Sequence, residues 1–218
     1  VLKPSWDSAK RFLTEVKDPS TVGGYYQPLT MISLMVDVSL GGSADDLIPF
    51  HRTSLVLHVL NSVLVTLIVY LLFGSAPVAV MVGLLFGCHP MAVEPIPWIG
   101  ERKTLLASFF ALFVVILYIF SVKKRNRWYL LGAIGCYVLA LMSKPIVTPL
   151  PIMLVLLDVW PLRSFDWRKQ WNKIPFFVMA FVSAYITIVS QRQTALTETS
   201  FHDALLTICH NLIFYPWK

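Results

Sequence analysis

Leu55–Phe73 is an apolar run of about the 20 residues that a helix needs to cross the hydrocarbon of a bilayer. It is the first of a series. Ala76–Cys88, Lys103–Val122, Trp128–Met142, Val147–Val159 and Pro175–Ser190 follow, and Phe201–Tyr215 starts another. The 218 residues are 56% hydrophobic and only 14% charged, with mean hydropathy +0.68, which is too apolar for a soluble domain. The pattern predicts an all-α, multi-pass transmembrane helical bundle over residues 49–218, with about six complete helices and the start of another. Ala76–Cys88 and Val147–Val159 are short for a full crossing, so their flanks must contribute or the bilayer must thin beside them.

The net charge of +6 is no signal for nucleic acid. Basic residues come as short clusters between apolar runs, the arrangement that orients a membrane protein. The cluster Lys123, Lys124, Arg125, Arg127 and the cluster Arg163, Arg168, Lys169, Lys173 are two helices apart, so both are expected on the cytoplasmic side. Residues 1–53, the 89–103 stretch, Ser143-Lys144 and residues 191–200 then share the opposite face. Among residues 1–50 the acids outnumber the bases, which agrees. Cys88, Cys136 and Cys209 lie in apolar surroundings without ligand spacing and read as small packed hydrophobes.

Residues 1–48 are expected to form an external loop with a short helix near Ser8–Val16 and an amphipathic helix over LTMISLMVDVSL. Thr30, Ser33 and Asp37 recur there at helical spacing, which suits a helix on the membrane surface or against the bundle. In the first spanning run Ser54, His58 and Asn61 share a stripe, which predicts an inward face with hydrogen bonds between helices.

Between the second and third apolar runs lies HPMAVEPIPWIGERKTLL, residues 89–106. It places His89, Glu94, Glu101, Arg102 and Lys103 beside hydrocarbon, and Pro90, Pro95 and Pro97 keep much of it from regular helix. Charge at such a boundary marks either a functional site or a plain loop in the headgroups. No nucleotide-binding loop and no metal-ligand spacing are present in the sequence.

The ordered set YYQPLT (25–30), FHRTSLVLHVLNSVL (50–64), residues 89–106, LMSKPIVTPLPIMLVLLDVWPLR (141–163) and KIPFFVMAFVSAYITIVSQR (173–192) resembles the GT-C-type transmembrane and TPR-containing protein O-mannosyltransferases, including their bacterial homologues. The resemblance implies a GT-C-like bundle that takes a sugar, mannose first, from a polyprenyl- or dolichyl-phosphate donor. Delivery would go to an acceptor protein's hydroxyl on the external or lumenal face. It further implies an integral protein of a bacterial inner membrane or of the endoplasmic reticulum. The chain starts at Val1 without an initiator Met and ends at Lys218 just past an apolar segment. It is therefore expected to be the middle of a longer protein, with a first transmembrane helix and an acidic pair upstream and repeats downstream.

Inverting transfer needs a carboxylate to take the acceptor's proton and cations to meet the charge growing on the leaving phosphate. Arg102 is the candidate to grip phosphate oxygens in a bidentate way, with Lys103 and Lys144 as point charges. Glu94 would orient Arg102 or meet sugar hydroxyls, and would serve as base only without the upstream acids. His89 would bond phosphate or finish the helix end before Pro90. Tyr25 and Tyr26 would stack on a sugar or anchor their helix, and Lys144 would hold phosphate or extend to the headgroups. The residues call for no firm cofactor, and a divalent ion bridging carboxylate and phosphate stays open. The alternative to an enzyme is a non-catalytic membrane scaffold, or a lipid or solute transporter, on the same fold.

Overall fold

The computed structural model describes residues 4–14, 26–164, 166–191, 206 and 210. Among them the chain is helical, without strands. In order come α1 (Trp6–Thr14), α2 (Pro28–Ser39), α3 (Ile48–Phe73), α4 (Ala76–Cys88), α5 (Pro90–Val93), α6 (Arg102–Lys124), α7 (Arg127–Ser143), α8 (Leu150–Val159), α9 (Trp167–Gln170) and α10 (Ile174–Gln191). Three segments are long and apolar enough to cross a membrane: Ile48–Phe73, Ile99–Lys124 and Trp171–Ser190. The expected helix over 201–215 lies outside the described residues, apart from Leu206 and His210.

The ends of these helices have local causes. Pro49 sits in the first turn of α3, where its missing N–H costs nothing, so the helix begins at Ile48 rather than at Leu55. Gly74 ends it in the left-handed region at φ 74°, with its N–H on Tyr70 O. Pro77 restarts the chain in the first turn of α4. Asn126 caps α7 by accepting from the Trp128 N–H at 2.9 Å. The fifth apolar run is not one helix from Val147: a 3-10 turn at Pro145–Val147 precedes α8, because Pro145 and Pro149 interrupt the backbone ladder.

α6 is central. It lies against α3 on one side and α7 on the other, and also meets α2 and α8. Its Val114, Val115, Tyr118 and Ile119 form the main core with Ala133, Tyr137 and Leu141 of α7, Leu150, Leu154 and Leu157 of α8, and Phe176 and Ala180 of α10. α4 approaches α3 through Gly83 and Gly87, which face Thr66 and Ser62. The outward faces stay apolar: Leu55, Val59 and Val63 on α3, Met81, Leu84 and Leu85 on α4, and Phe181, Tyr185 and Ile188 on α10 are all exposed. Such faces suit hydrocarbon rather than water.

Ser54, His58 and Asn61 are all buried, as their stripe predicted. α2 turns its polar stripe inward as well. Thr30 and Asp37 are buried, Thr30 Oγ1 donates to Ser143 O at 3.0 Å, and Val36 and Leu40 face out. The described contacts pack this helix against α3, α6 and α7.

At the end carrying the basic clusters, Asp158 is a buried hub. It accepts from Tyr118 Oη at 2.8 Å, Ser164 Oγ at 3.2 Å, Gln170 Nε2 at 3.3 Å and Lys173 Nζ at 2.5 Å. The hub ties α6, α8 and the start of α10 together. Trp128, Trp160, Trp167 and Trp171 are exposed around the same end, as indole rings are at membrane interfaces.

The α3–α4 approach can be tested directly. A Cβ on Gly83 would stand 1.8 Å from Thr66 Oγ1 and 3.1 Å from Thr66 Cβ. Gly83→Val should therefore destabilise the protein by about 1–3 kcal/mol, as overpacking does. Thermal unfolding in detergent micelles reads the loss, and adding Thr66→Ala should recover part of it.

Candidate functional site

The site grows from the way α6 begins. Pro95 and Pro97 hold the preceding chain out of regular helix, a 3-10 turn forms at Ile99–Glu101, and α6 starts at Arg102. Successive residues then point about 100° apart. Arg102 turns fully inward, whereas Glu101, Lys103 and Thr104 fan out at the bundle's end.

Arg102 is wholly buried. Its Nε donates to Ser54 Oγ at 3.1 Å, Nη1 to Ser33 Oγ at 3.2 Å and Nη2 to Phe50 O at 2.6 Å. Nη2 also lies 2.7 Å from Asp37 Oδ2, as an ion pair rather than a straight hydrogen bond, while Asp37 Oδ1 accepts from Thr53 Oγ1 at 2.7 Å. This guanidinium pins α2, α3 and α6 to each other. The expectation that it grips phosphate is therefore corrected: its donors are committed inside the protein. Its partner is Asp37 rather than Glu94. Glu94 is exposed at the C-cap of α5, where its backbone N–H donates to Pro90 O, and its side chain makes no hydrogen bond or ion pair among the described residues.

Lys103 and Lys144 do come together. Both pair with Glu101: Lys103 Nζ is 3.5 Å from Oε1 and Lys144 Nζ is 3.2 Å from Oε2. Lys144 Nζ also donates to Thr104 Oγ1 at 2.7 Å, and Thr104 in turn donates to Glu101. Lys144 owes its place to Pro145, which excludes helical geometry at the residue before it, so α7 stops at Ser143 and Lys144 leaves in extended conformation. A cation at a helix C-terminus is also favoured by the helix dipole.

Both lysines line a cavity of about 510 Å³ together with Tyr26, Gln27 and Thr148. A narrower slot of about 180 Å³ adjoins it between α7 and α10, walled by Val138, Met142, Met179 and Val182. Tyr26, Pro145 and Thr187 line both spaces. The result is a cationic head with an apolar tail. Tyr26 stands at the junction, its Oη donating to Leu13 O at 3.0 Å, and burial pushes its phenol above the usual tyrosine range. It stays a neutral donor at physiological pH.

Tyr25 lies outside the described residues. The His89 side chain caps the start of α5 rather than the helix end before Pro90, its Nδ1 accepting from the Met91 N–H at 3.3 Å. It lines other cavities, beside α4, and not the one that holds the lysines. Glu101 and Thr104 are the members that residue-type reasoning did not assign. The signal was the alternation Glu101-Arg102-Lys103-Thr104 at a helix start, where a carboxylate is favoured by the dipole. Among the described residues no group of three or more His, Cys, Asp or Glu is placed to hold a metal ion.

Comparison with protein-family models, curated protein sequences and solved structures finds no match for this chain.

The buried pair sets a clear expectation. Asp37→Ala leaves Arg102 uncompensated in the core and should cost about 3–5 kcal/mol. Asp37→Ala with Arg102→Met should recover much of that loss. Detergent-resistant folded yield and unfolding temperature of the single and double variants measure it.

Proposed function

We propose that the chain is the membrane portion of a glycosyltransferase that uses a polyprenyl-phosphate-linked sugar. In this reading it is a multi-pass, GT-C-like protein with its basic clusters on the cytoplasmic side. Transfer goes to hydroxyls of an acceptor protein on the external or lumenal face, with mannose as the sugar. The observation that carries the reading is the pair of adjoining spaces between residues 26–27, α6, α7 and α10, with Lys103 and Lys144 lining one and apolar side chains walling the other. A phosphate on an isoprenoid chain has that shape and that charge distribution.

The chemistry follows from the contacts. Before the donor arrives, Glu101 neutralises the two ammonium groups and holds them side by side. A bound phosphate takes over that role, and the paired cations then stabilise the charge that develops as the sugar–phosphate bond breaks. Apolar walls strengthen the attraction by excluding water. The resemblance of residues 25–192 to the O-mannosyltransferases supports transfer rather than binding alone. One observation favours the runner-up, a non-catalytic membrane scaffold or transporter: no carboxylate lines the cavity among the described residues.

Two substitutions test the reading. Lys144→Met removes a charge-assisted contact and should weaken binding of a polyprenyl monophosphate by roughly tenfold to a hundredfold. Met179→Trp fills the slot and should weaken a long-chain polyprenyl phosphate more than citronellyl phosphate. Binding to the full chain in nanodiscs, followed by transfer from the mannosylated lipid, separates enzyme from scaffold. Unchanged affinity in both variants removes the cavity from consideration.

A further inference from the structure

A second space of about 560 Å³ lies on the other side of Thr104, between α3, α4, the 89–95 stretch and the start of α6. Its volume is within the range of small-molecule sites. Its lining is of a different kind from that around Lys103 and Lys144. No Lys, Arg, Asp or Glu contributes; the polar groups are His58, Asn61, His89, Thr104 and Ser108. Asn61 is 1% exposed, and its Nδ2 donates to Leu105 O at 3.0 Å. Its Oδ1 is buried with no hydrogen-bond partner among the described residues. An orphaned buried acceptor of this kind is unfavourable until a donor meets it. His58 Nε2 lies 2.9 Å from Gly87 O. With that nitrogen donating, Nδ1 is left as a second acceptor.

The rim is apolar. Leu85 and Met91 line this space and are 60% and 73% exposed. Leu85 and His89 also line a trough of about 610 Å³ that runs along the outer face of α4 past Met81 and Val80 to Pro77. The polar recess therefore opens onto an apolar track and not onto charge.

We infer that this recess and trough form a binding site for an uncharged lipid bearing hydroxyl groups, with its head donating to Asn61 Oδ1 and His58 Nδ1 and its chain lying along α4. The absence of a charged side chain from the lining rejects a phosphate, which would lose its hydration without a partner. The unmet acceptors select a hydroxylated head over a plain hydrocarbon. The exposed apolar rim favours entry sideways from a membrane over entry from water. The site stands apart from the transfer reading and does not depend on it.

The test uses the full chain in nanodiscs and three probes sharing one diazirine-bearing acyl chain: a 1-monoacylglycerol, the fatty acid methyl ester and the matching alkyl phosphate. The monoacylglycerol should label the segment from Pro77 to Pro90, with the methyl ester and the alkyl phosphate weaker. Asn61→Leu should lower labelling by the monoacylglycerol about fivefold, the ratio expected for one net hydrogen bond. Leu85→Trp, at an exposed position that leaves the core untouched, should lower it at least as far by filling the mouth. Equal labelling of this segment by the methyl ester or by the alkyl phosphate overturns the assignment, as does labelling that neither Asn61→Leu nor Leu85→Trp reduces.

Discussion

The arrangement depends on the charge pair between Arg102 and Asp37. Two opposite charges in a helical core are stable only when each is paired and the remaining donors are used. Here Ser33, Ser54 and Phe50 O use them. The requirement fixes three helices relative to one another, because the partners come from α2, α3 and α6. It also fixes the rotation of α6 about its axis. With residue 102 facing the core, residues 101, 103 and 104 are held at the bundle's end. The ammonium pair is thus a consequence of a neighbouring side chain whose donors are used inside the protein.

A second pair does the same for the opposite end. Asp158 and Lys173 are buried, and Lys173 lies over the ring of Tyr118 with Nζ 5.4 Å from its centre. This fixes where α10 leaves relative to α6 and α8. α10 supplies Met179 and Val182 to one wall of the narrow slot, so an ion pair at one end of the bundle shapes the apolar space that leads to the other. Two polar clamps with apolar packing between them describe the bundle better than a uniform hydrophobic core does.

Much of this was legible in the residue order. The apolar runs mark α4, α6, α7 and α10 closely, and α3 at its end though not at its start, because periodic apolar content and proline or glycine stops act locally. The stripe of Ser54, His58 and Asn61 and the break before Pro145 are readable for the same reason. Pairing was not legible. Nothing in the neighbourhood of Arg102 names a partner 65 residues upstream on α2, and Glu94 looked closer only because it is closer along the chain. Arg102 shows the limit of reading function from residue type: an arginine at a membrane boundary is as suitable for a structural clamp as for a phosphate. Lys144 meets Glu101 and Thr104, in keeping with the helix count that put it at the same end as residues 89–103.

Thr104 has a consequence beyond its own contacts. One small hydroxyl borders the uncharged recess while touching the ammonium and the carboxylate of the charged cluster. Two occupants on either side of such a partition cannot be thermodynamically independent once one of them redirects that hydroxyl. Any preference one gains from the other must be returned in equal measure, so the two equilibria share a single coupling constant. A side chain of one oxygen and one methyl is thus the shared boundary of a charged cluster and an uncharged space.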